Sequence, residues 1–456
     1  MRVPRSSLAR VALAAMFPVA LLLAGCAAAG QTAPTPTSAA AADQHWLLTA
    51  DTAAKALYVN DVADGRPTGK LENVELGSHA GTIQLGEGRL AFVDESSPRL
   101  DVLRIDDDGA PAIERSFDIP NANGTWERAG WIATDASKRY IAVGSDFDGL
   151  TTQQVTLVDL SLDTQWTISV STNEVVLATN GETGTEEMHT FLVGDPLRLV
   201  ISSGGELDAY LVSEITNGNA APAPWGSTAL GAYPHGPLVD KTGETIGATL
   251  HSGVETVPLT PNGFGTPVTT EYPNGVAQSY RPRMAPDGKT FVGTQAGIVG
   301  KGAPWEKTPV YLLSGSMTGG GLSTLPLGSG ISTRAAVSAP FAATVVTGGS
   351  GDELVLVDRD EKTNSYDGKK STIALTPLKT GPVAGQDAKT AEVRSIAVTE
   401  DGSSVFVTRG GEGEVTQIDT ANSRVRRTIA FPSTLVGGGY LTIVDPSSGG
   451  YDLSGR

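Results

Sequence analysis

The chain repeats itself, and this repetition constrains its fold more than any other feature. The stretch 394–419 reads as a short apolar strand, an Asp401-Gly402 turn, a second apolar strand and, after a Gly-rich turn, a third strand. Approximate copies of this unit recur along the chain, with short apolar runs bounded by Gly, Pro, Asn or Asp, which is typical of strands and turns. Because a repeat fold grows by adding units, the pattern predicts an all-β fold of the β-propeller type.

The two ends of the repeat region predict how the ring closes. The first unit, within residues 46–76, has three strands at 46–49, 56–60 and 71–76, and lacks the strand that opens every other unit. A lone apolar strand at 438–444 comes after the last full unit and resembles that missing strand. Pairing the two would complete one blade and remove the exposed edges. We therefore predict a single domain, residues 45–456, with about eight four-stranded blades; seven is the alternative if one divergent unit is miscounted.

The first 26 residues have the organisation of a targeting segment. Three arginines (Arg2, Arg5 and Arg10) precede an apolar stretch at 11–23, which is shorter than the roughly 20 residues that a membrane-spanning helix needs. The segment ends in Leu-Ala-Gly-Cys26 and resembles the lipobox of a bacterial lipoprotein signal peptide. That resemblance implies a diacylglyceryl group on the Cys26 thiol, cleavage before Cys26, and a protein exported and lipid-anchored on the extracytoplasmic side of the membrane.

Residues 27–44 are small and contain prolines without any periodicity, which indicates a flexible tether. Cys26 is the one cysteine of the chain, which excludes an internal disulfide framework. The formal charge of −17 becomes −20 without the three leader arginines. A charge this negative argues against nucleic acid or an anionic membrane surface as the main partner.

One set of residues stands immediately before the predicted innermost strands. His79-Ala-Gly-Thr-Ile and Arg128-Ala-Gly-Trp-Ile align without a gap, which supports the register. Because innermost strands line the central channel of a propeller, their starting residues are predicted to meet at one mouth. This predicted rim consists of seven basic or imidazole side chains: His79, Arg128, His189, His235, Arg281, Arg334 and Arg394.

The chemistry of the rim allows two interpretations. Arginine forks match carboxylate and phosphate oxygens, and a channel mouth concentrates their field, which favours a site for an anionic or polar small molecule, or for another exported protein. Alternatively, the side chains pair with acidic neighbours such as Glu127, Glu187 or Glu392 and tie adjacent blades together.

The repeats at 281–292 and 394–407 resemble those of bacterial extracytoplasmic propellers with YVTN-type or quinoprotein-dehydrogenase-like repeats. His79, His189 and the Tyr233-Pro-His235-Gly segment also resemble the channel-end histidines of the AztD family. This second resemblance implies zinc, bound by His79, His189 and His235, and a role as a metallochaperone or metal-binding accessory to an ABC importer. Imidazole is a common zinc ligand, so the residue types fit.

The sequence contains no Gly-x-Ser-x-Gly elbow, no His-Glu-x-x-His and no phosphate-binding Gly loop. The leading hypothesis is therefore a non-enzymatic, membrane-anchored binding protein without a nucleic-acid partner. A quinoprotein-dehydrogenase-like or hydrolytic enzyme remains a further alternative, because the same scaffold serves many functions.

Overall fold

The computed structural model of the protein describes most of the chain from residue 45 onwards. The described ranges are 45–76, 81–119, 128–146, 152–171, 174–176, 183–185, 189–203, 205–231, 235–250, 252–273, 279–296, 304–332, 334–386, 392–448 and 450–455. The predicted signal peptide, the lipidation site Cys26 and the tether lie outside these residues and stay predictions. None of the helices in the described ranges is long and apolar enough to cross a membrane.

The described strands form eight antiparallel blades in a ring, as the repeats predict. The strands of blades 1–4 are β1 Trp46–Asp51, β2 Ala56–Asp61 and β3 Pro67–Glu72; β4 Thr82–Gly86, β5 Arg89–Asp94, β6 Arg99–Ile105 and β7 Pro111–Asp118; β8 Arg128–Thr134, β9 Tyr140–Asp146, β10 Thr152–Asp159 and β11 Thr164–Ser171; and β14 His189–Val193, β15 Arg198–Ser203, β16 Glu206–Leu211 and β17 Gly226–Ala229. A separate hairpin of β12 Glu174–Val176 and β13 Thr183–Thr185 precedes blade 4, and one short helix, α1 Val212–Thr216, lies inside it.

Blades 5–8 continue the same order. Their strands are β18 His235–Val239, β19 Thr245–Thr249, β20 Gly253–Thr260, β21 Gly263–Phe264 and β22 Val268–Glu271; β23 Ser279–Met284, β24 Thr290–Ala296, β25 Pro309–Ser316 and β26 Ser323–Ser329; β27 Ala335–Val337, β28 Phe341–Gly348, β29 Gly351–Asp358 and β30 Lys370–Leu375; and β31 Ile396–Val398, β32 Ser404–Arg409, β33 Glu414–Asp419 and β34 Arg424–Ala430. Two more strands come after blade 8, β35 Tyr440–Val444 and β36 Ser454–Gly455. Short 3₁₀ turns lie at Trp305–Lys307 and Val436–Gly438.

The ring closes as predicted. β35 pairs antiparallel with β1, from Trp46 opposite Val444 to Ala50 opposite Tyr440, and completes blade 1. The third strand of blade 1 differs from the sequence prediction, since it spans Pro67–Glu72 rather than 71–76. Val74 and Leu76 beyond it are instead buried in the core shared with blade 2, so their apolar character reflects packing of the connection.

Blade 8 shows how the sequence produces this packing. Gly402 adopts a φ of 75°, its N–H donates to the carbonyl of Thr399 at 2.8 Å, and the Asp401 carboxylate accepts from the N–H of Ser403 at 2.9 Å. The turn leads into β32, whose residues alternate between two cores. Val405 and Val407 pack in the core shared with blade 7, whereas Phe406 packs in the core shared with blade 1. Both faces of the strand are therefore buried between neighbouring blades.

Candidate functional site

The predicted rim residues do not occupy equivalent positions in the innermost strands. His189 pairs with Ser202 and His235 with Thr249, so these two residues match in strand register. In blade 8 the residue in this position is Ser395, whose carbonyl accepts from the N–H of Thr408, and Arg394 precedes it. The sequence alignment is thus one residue out in blade 8, where β31 pairs with β32 without a register shift.

Arg394 joins two blades through a buried ion pair. Its side chain is 2% exposed, its Nε donates to Oδ2 of Asp352 in blade 7 at 2.7 Å, and its Nη2 lies 2.6 Å from the same oxygen in an ion pair. Nη1 and Nη2 donate to the carbonyl oxygens of Thr408 and Thr376 at 3.1 and 2.5 Å, respectively. Burial lowers the pKa of Arg394 below its usual value, although Asp352 opposes this shift. Arg394 therefore ties two blades together through an acidic residue, as one of the two interpretations of the rim predicts. Its partner is Asp352 rather than one of the acidic neighbours named from the sequence.

Arg281 and Arg334 line one cavity at the centre of the ring. The cavity has a volume of about 140 Å³ and is bounded by the innermost strands β4, β23, β27, β31 and β35. Both arginines are half-buried. The guanidinium of Arg334 lies 5.6 Å from the ring centroid of Tyr440, a cation–π distance, and Nη1 is 3.4 Å from the hydroxyl of Ser395. Burial, together with repulsion from Arg283, lowers the pKa of Arg334 to about 10.

The backbone at Arg281 is strained. Its φ of 52° lies in the left-handed region, which a residue with a large side chain rarely adopts. The strand register shifts between Tyr280 and Arg283, so Arg281 and Pro282 form a bulge in β23. Bulges of this kind occur near functional sites, where they redirect a side chain. Here the bulge accompanies two arginines, Arg281 and Arg283, that line the same cavity.

Arg283 was not among the predicted site residues. The two-residue spacing from Arg281 is no guide to it, because the bulge at Arg281 and Pro282 interrupts the alternation of side chains between the two arginines. The Asp452 carboxyl interacts electrostatically with Arg283 and Lys138 and accepts from the N–H of Met284 at 3.2 Å. Burial nevertheless raises the pKa of Asp452 above its usual value. The cavity therefore contains three arginines and a fixed carboxyl.

The chain beyond β35 takes a course that the repeat pattern does not predict. The described residues 445–448 and 450–455, called here the crossing segment, lie between blade 1 and blade 3, where β36 pairs with β8 on its channel side. The carbonyl of Leu453 accepts from the N–H of Thr134 at 2.9 Å, and the Tyr451 hydroxyl donates to the carbonyl of Val337 at 3.3 Å. Leu453 is 3% exposed within the core of blades 4 and 5. The crossing segment is therefore anchored to blades on several sides of the channel.

The remaining rim residues are described to different extents. His79 lies outside the described residues, and for Arg128 and His235 the structure describes the backbone alone. His189 is fully buried, and its ring packs edge-on against Trp131 with centroids 4.8 Å apart. Among the described residues, no three His, Cys, Asp or Glu side chains are grouped closely enough to hold a metal ion. Zinc binding by His79, His189 and His235 stays a prediction.

Comparison with solved structures places the fold among known propellers. Apo AztD from Citrobacter koseri superposes with a TM-score of 0.57 at 13% identity, covering 91% of this chain and 99% of that protein. A second AztD structure from the same organism gives 0.57 at 14% identity, with coverage of 88% and 98%. The dihydro-heme d1 dehydrogenase NirN gives 0.54 at 12% identity, covering 92% of this chain and 78% of NirN. At these identities the likeness shows the fold alone. No protein-family profile and no curated protein sequence matches the chain. The chain is thus an eight-bladed β-propeller similar in fold to AztD and NirN.

Proposed function

We propose that the protein is an exported, lipid-anchored, non-enzymatic propeller that binds a small anionic ligand in its central cavity. The observation that carries the proposal is the joint placement of Arg281, Arg334 and Arg283 around one cavity of about 140 Å³. In a chain with a net charge of −17, three arginines in one concave space form a local positive site. Guanidinium groups bind carboxylate or phosphate oxygens in a bidentate manner, which gives both affinity and orientation.

The electrostatic state of Arg334 supports the proposal. A pKa lowered to about 10 means that burial in the cavity wall disfavours the charged guanidinium. A bound anion would offset this cost by supplying the opposite charge. Arg394 is left out of the proposed site because it does not line the cavity and is buried against Asp352 and two backbone carbonyls.

The test is calorimetric titration of the purified lipidated protein with butyrate, succinate, inorganic phosphate and sulfate. We expect at least one of these anions to bind with a stoichiometry of one, and Arg281→Gln or Arg334→Gln to weaken binding at least tenfold. Arg66→Gln is a matched control, because the Arg66 side chain is 62% exposed on the outer part of blade 1. Absence of binding by all four probes, or unchanged affinity in both cavity variants, would contradict the proposal.

The membrane anchor is tested separately. Cys26→Ser removes the thiol that the lipobox resemblance assigns to the lipid. The variant is expected to leave the membrane fraction, and metabolic labelling with a radiolabelled fatty acid should mark the wild type but not the variant. Labelling of Cys26→Ser would show that the anchor lies elsewhere.

The second candidate function is zinc handling as an accessory to an ABC importer. It is supported by the similarity in fold to AztD over nine tenths of the chain. Zinc titration of the purified protein, of His79→Ala and of His235→Ala decides it. Stoichiometric binding at micromolar or tighter affinity that both variants lose would support the zinc site.

An enzyme of the quinoprotein-dehydrogenase or hydrolase type would be supported instead by a cofactor that co-purifies with the protein. If neither a small molecule nor zinc binds, another exported protein becomes the expected partner.

A further inference from the structure

The ring-closing strand β35 contributes an aromatic side chain to the central cavity. Its first residue, Tyr440, lines the cavity and is 5% exposed. The guanidinium of Arg334 in blade 7 lies 5.6 Å from the centroid of this ring. Because β35 belongs to blade 1, which it completes by pairing with β1, the two side chains can meet only in the closed ring.

Tyr440 is fixed by contacts with the blades on both sides. Its hydroxyl is hydrogen-bonded to the hydroxyl of Thr82 in blade 2, with the two oxygens 2.5 Å apart. The next residue of β35, Leu441, donates its N–H to Oγ of Ser395 in blade 8 at 3.2 Å. The position of the Tyr440 ring is therefore determined by blades 2 and 8 as well as by its own sheet.

Arg334 is held at its backbone by blade 7 and at its guanidinium by residues beyond that blade. Oγ1 of Thr344 donates to the Arg334 carbonyl at 2.6 Å, whereas Nη1 of Arg334 donates to Oγ of Ser395 at 3.4 Å. A cation–π contact uses the face of a guanidinium, and an anion is bound by the N–H groups in its plane. The ring of Tyr440 can therefore orient Arg334 without competing with a ligand for those N–H groups.

Resting on the proposed function, we propose that Tyr440 is a positioning residue of the anion site and that closure of the ring completes this site. The aromatic ring of Tyr440 holds the Arg334 guanidinium in the orientation that binds the anion, and the Tyr440 hydroxyl fixes that ring against blade 2. Binding and closure are then coupled, because an anion that binds the closed ring also stabilises the docking of β35.

Three variants of the purified lipidated protein, titrated with butyrate, succinate, inorganic phosphate and sulfate, test the role of Tyr440. Tyr440→Phe keeps the aromatic ring and should bind within about threefold of the wild type, whereas Tyr440→Leu should bind about tenfold more weakly, as expected for the loss of a partly desolvated cation–π pair. Tyr58→Leu is the matched control, because Tyr58 is 7% exposed in blade 1 and lies 5.4 Å from Nζ of Lys70, away from the cavity lining. This variant should keep the anion affinity of the wild type.

Amide hydrogen exchange of the wild type measures the coupling even if Tyr440→Leu does not fold. With a binding anion at about a hundred times its Kd, exchange in Tyr440–Val444 should slow by up to about a hundredfold, since only the closed ring binds the anion. Unchanged exchange there would overturn the coupling. Equal affinities of Tyr440→Leu and the wild type, or an equal loss in Tyr440→Phe, would overturn the role of the aromatic ring while retaining the anion site. Failure of all four anions to bind the wild type would instead count against the proposed function.

Discussion

The buried pair of Arg394 and Asp352 allows a quantitative test of how the blades are joined. In Asp352→Ala the guanidinium of Arg394 would stay buried, at 2% exposure, with two backbone carbonyls as its remaining partners. Removing one member of a buried ion pair costs about 3–5 kcal/mol, because the other charge is left uncompensated. Unfolding entropy of about 2.1 cal/mol/K per residue, over roughly 400 residues, converts this cost to a decrease in Tm of about 4–6 °C.

The assay is thermal unfolding followed by circular dichroism, supported by urea titration, for Asp352→Ala, Arg394→Met and the double variant. The double variant should be more stable than Asp352→Ala, because it no longer buries an unpaired charge, and the cycle should give a coupling energy above about 1 kcal/mol. A Tm of Asp352→Ala within about 1 °C of the wild type, or additive effects in the double variant, would refute the conclusion that this pair joins blades 7 and 8.

Three further predictions concern the cavity and the crossing segment. Arg334→Met should abolish anion binding but leave the Tm unchanged or raise it. The reason is that the fold lowers the pKa of Arg334 to about 10 and therefore disfavours its charge. A decrease in Tm of several degrees would contradict this reasoning. Burial lowers the pKa of Lys138 to about 8 in the folded protein, whereas the unfolded lysine still holds its proton up to a pH of about 10. The free energy of unfolding should therefore rise as the pH increases from about 8 to about 10. Urea titrations at several pH values should show this slope in the wild type and not in Lys138→Met. Leu453→Ala should cost about 2–4 kcal/mol in the same assay, because Leu453 is 3% exposed in the core; a cost below about 0.5 kcal/mol would mean that the crossing segment is not part of the folded ring.

Much of the fold could be predicted from local patterns. The Asp401-Gly402 turn and the alternation around Phe406 define strands without reference to distant residues, and their recurrence gives the blades. The pairing of residues 440–444 with the first blade was also predictable, because an incomplete first unit and a lone last strand complement each other. These predictions succeed because each depends on spacing along the chain, which the sequence states directly.

The site was predictable only in part. Arg281 and Arg334 do line the channel cavity, whereas Arg394, one residue out of register, is buried against Asp352. Arg281 lies in the bulge of β23, which changes the direction of its side chain, whereas β31, next to Arg394, pairs with β32 without a register shift. A bulge is decided by packing against the neighbouring strand and blade, and the local sequence pattern does not report it.

The sequence by itself determined the repeat, the closed ring and the concentration of arginines near the innermost strands. The tertiary structure alone decided which arginines share a cavity and which of them tie blades together. It also placed Tyr451 and Asp452 of the crossing segment beside Arg283, which lies about 170 residues away in the chain. The physical reason is that strand formation depends on short-range periodicity, whereas the charge of a channel depends on residues brought together from distant blades.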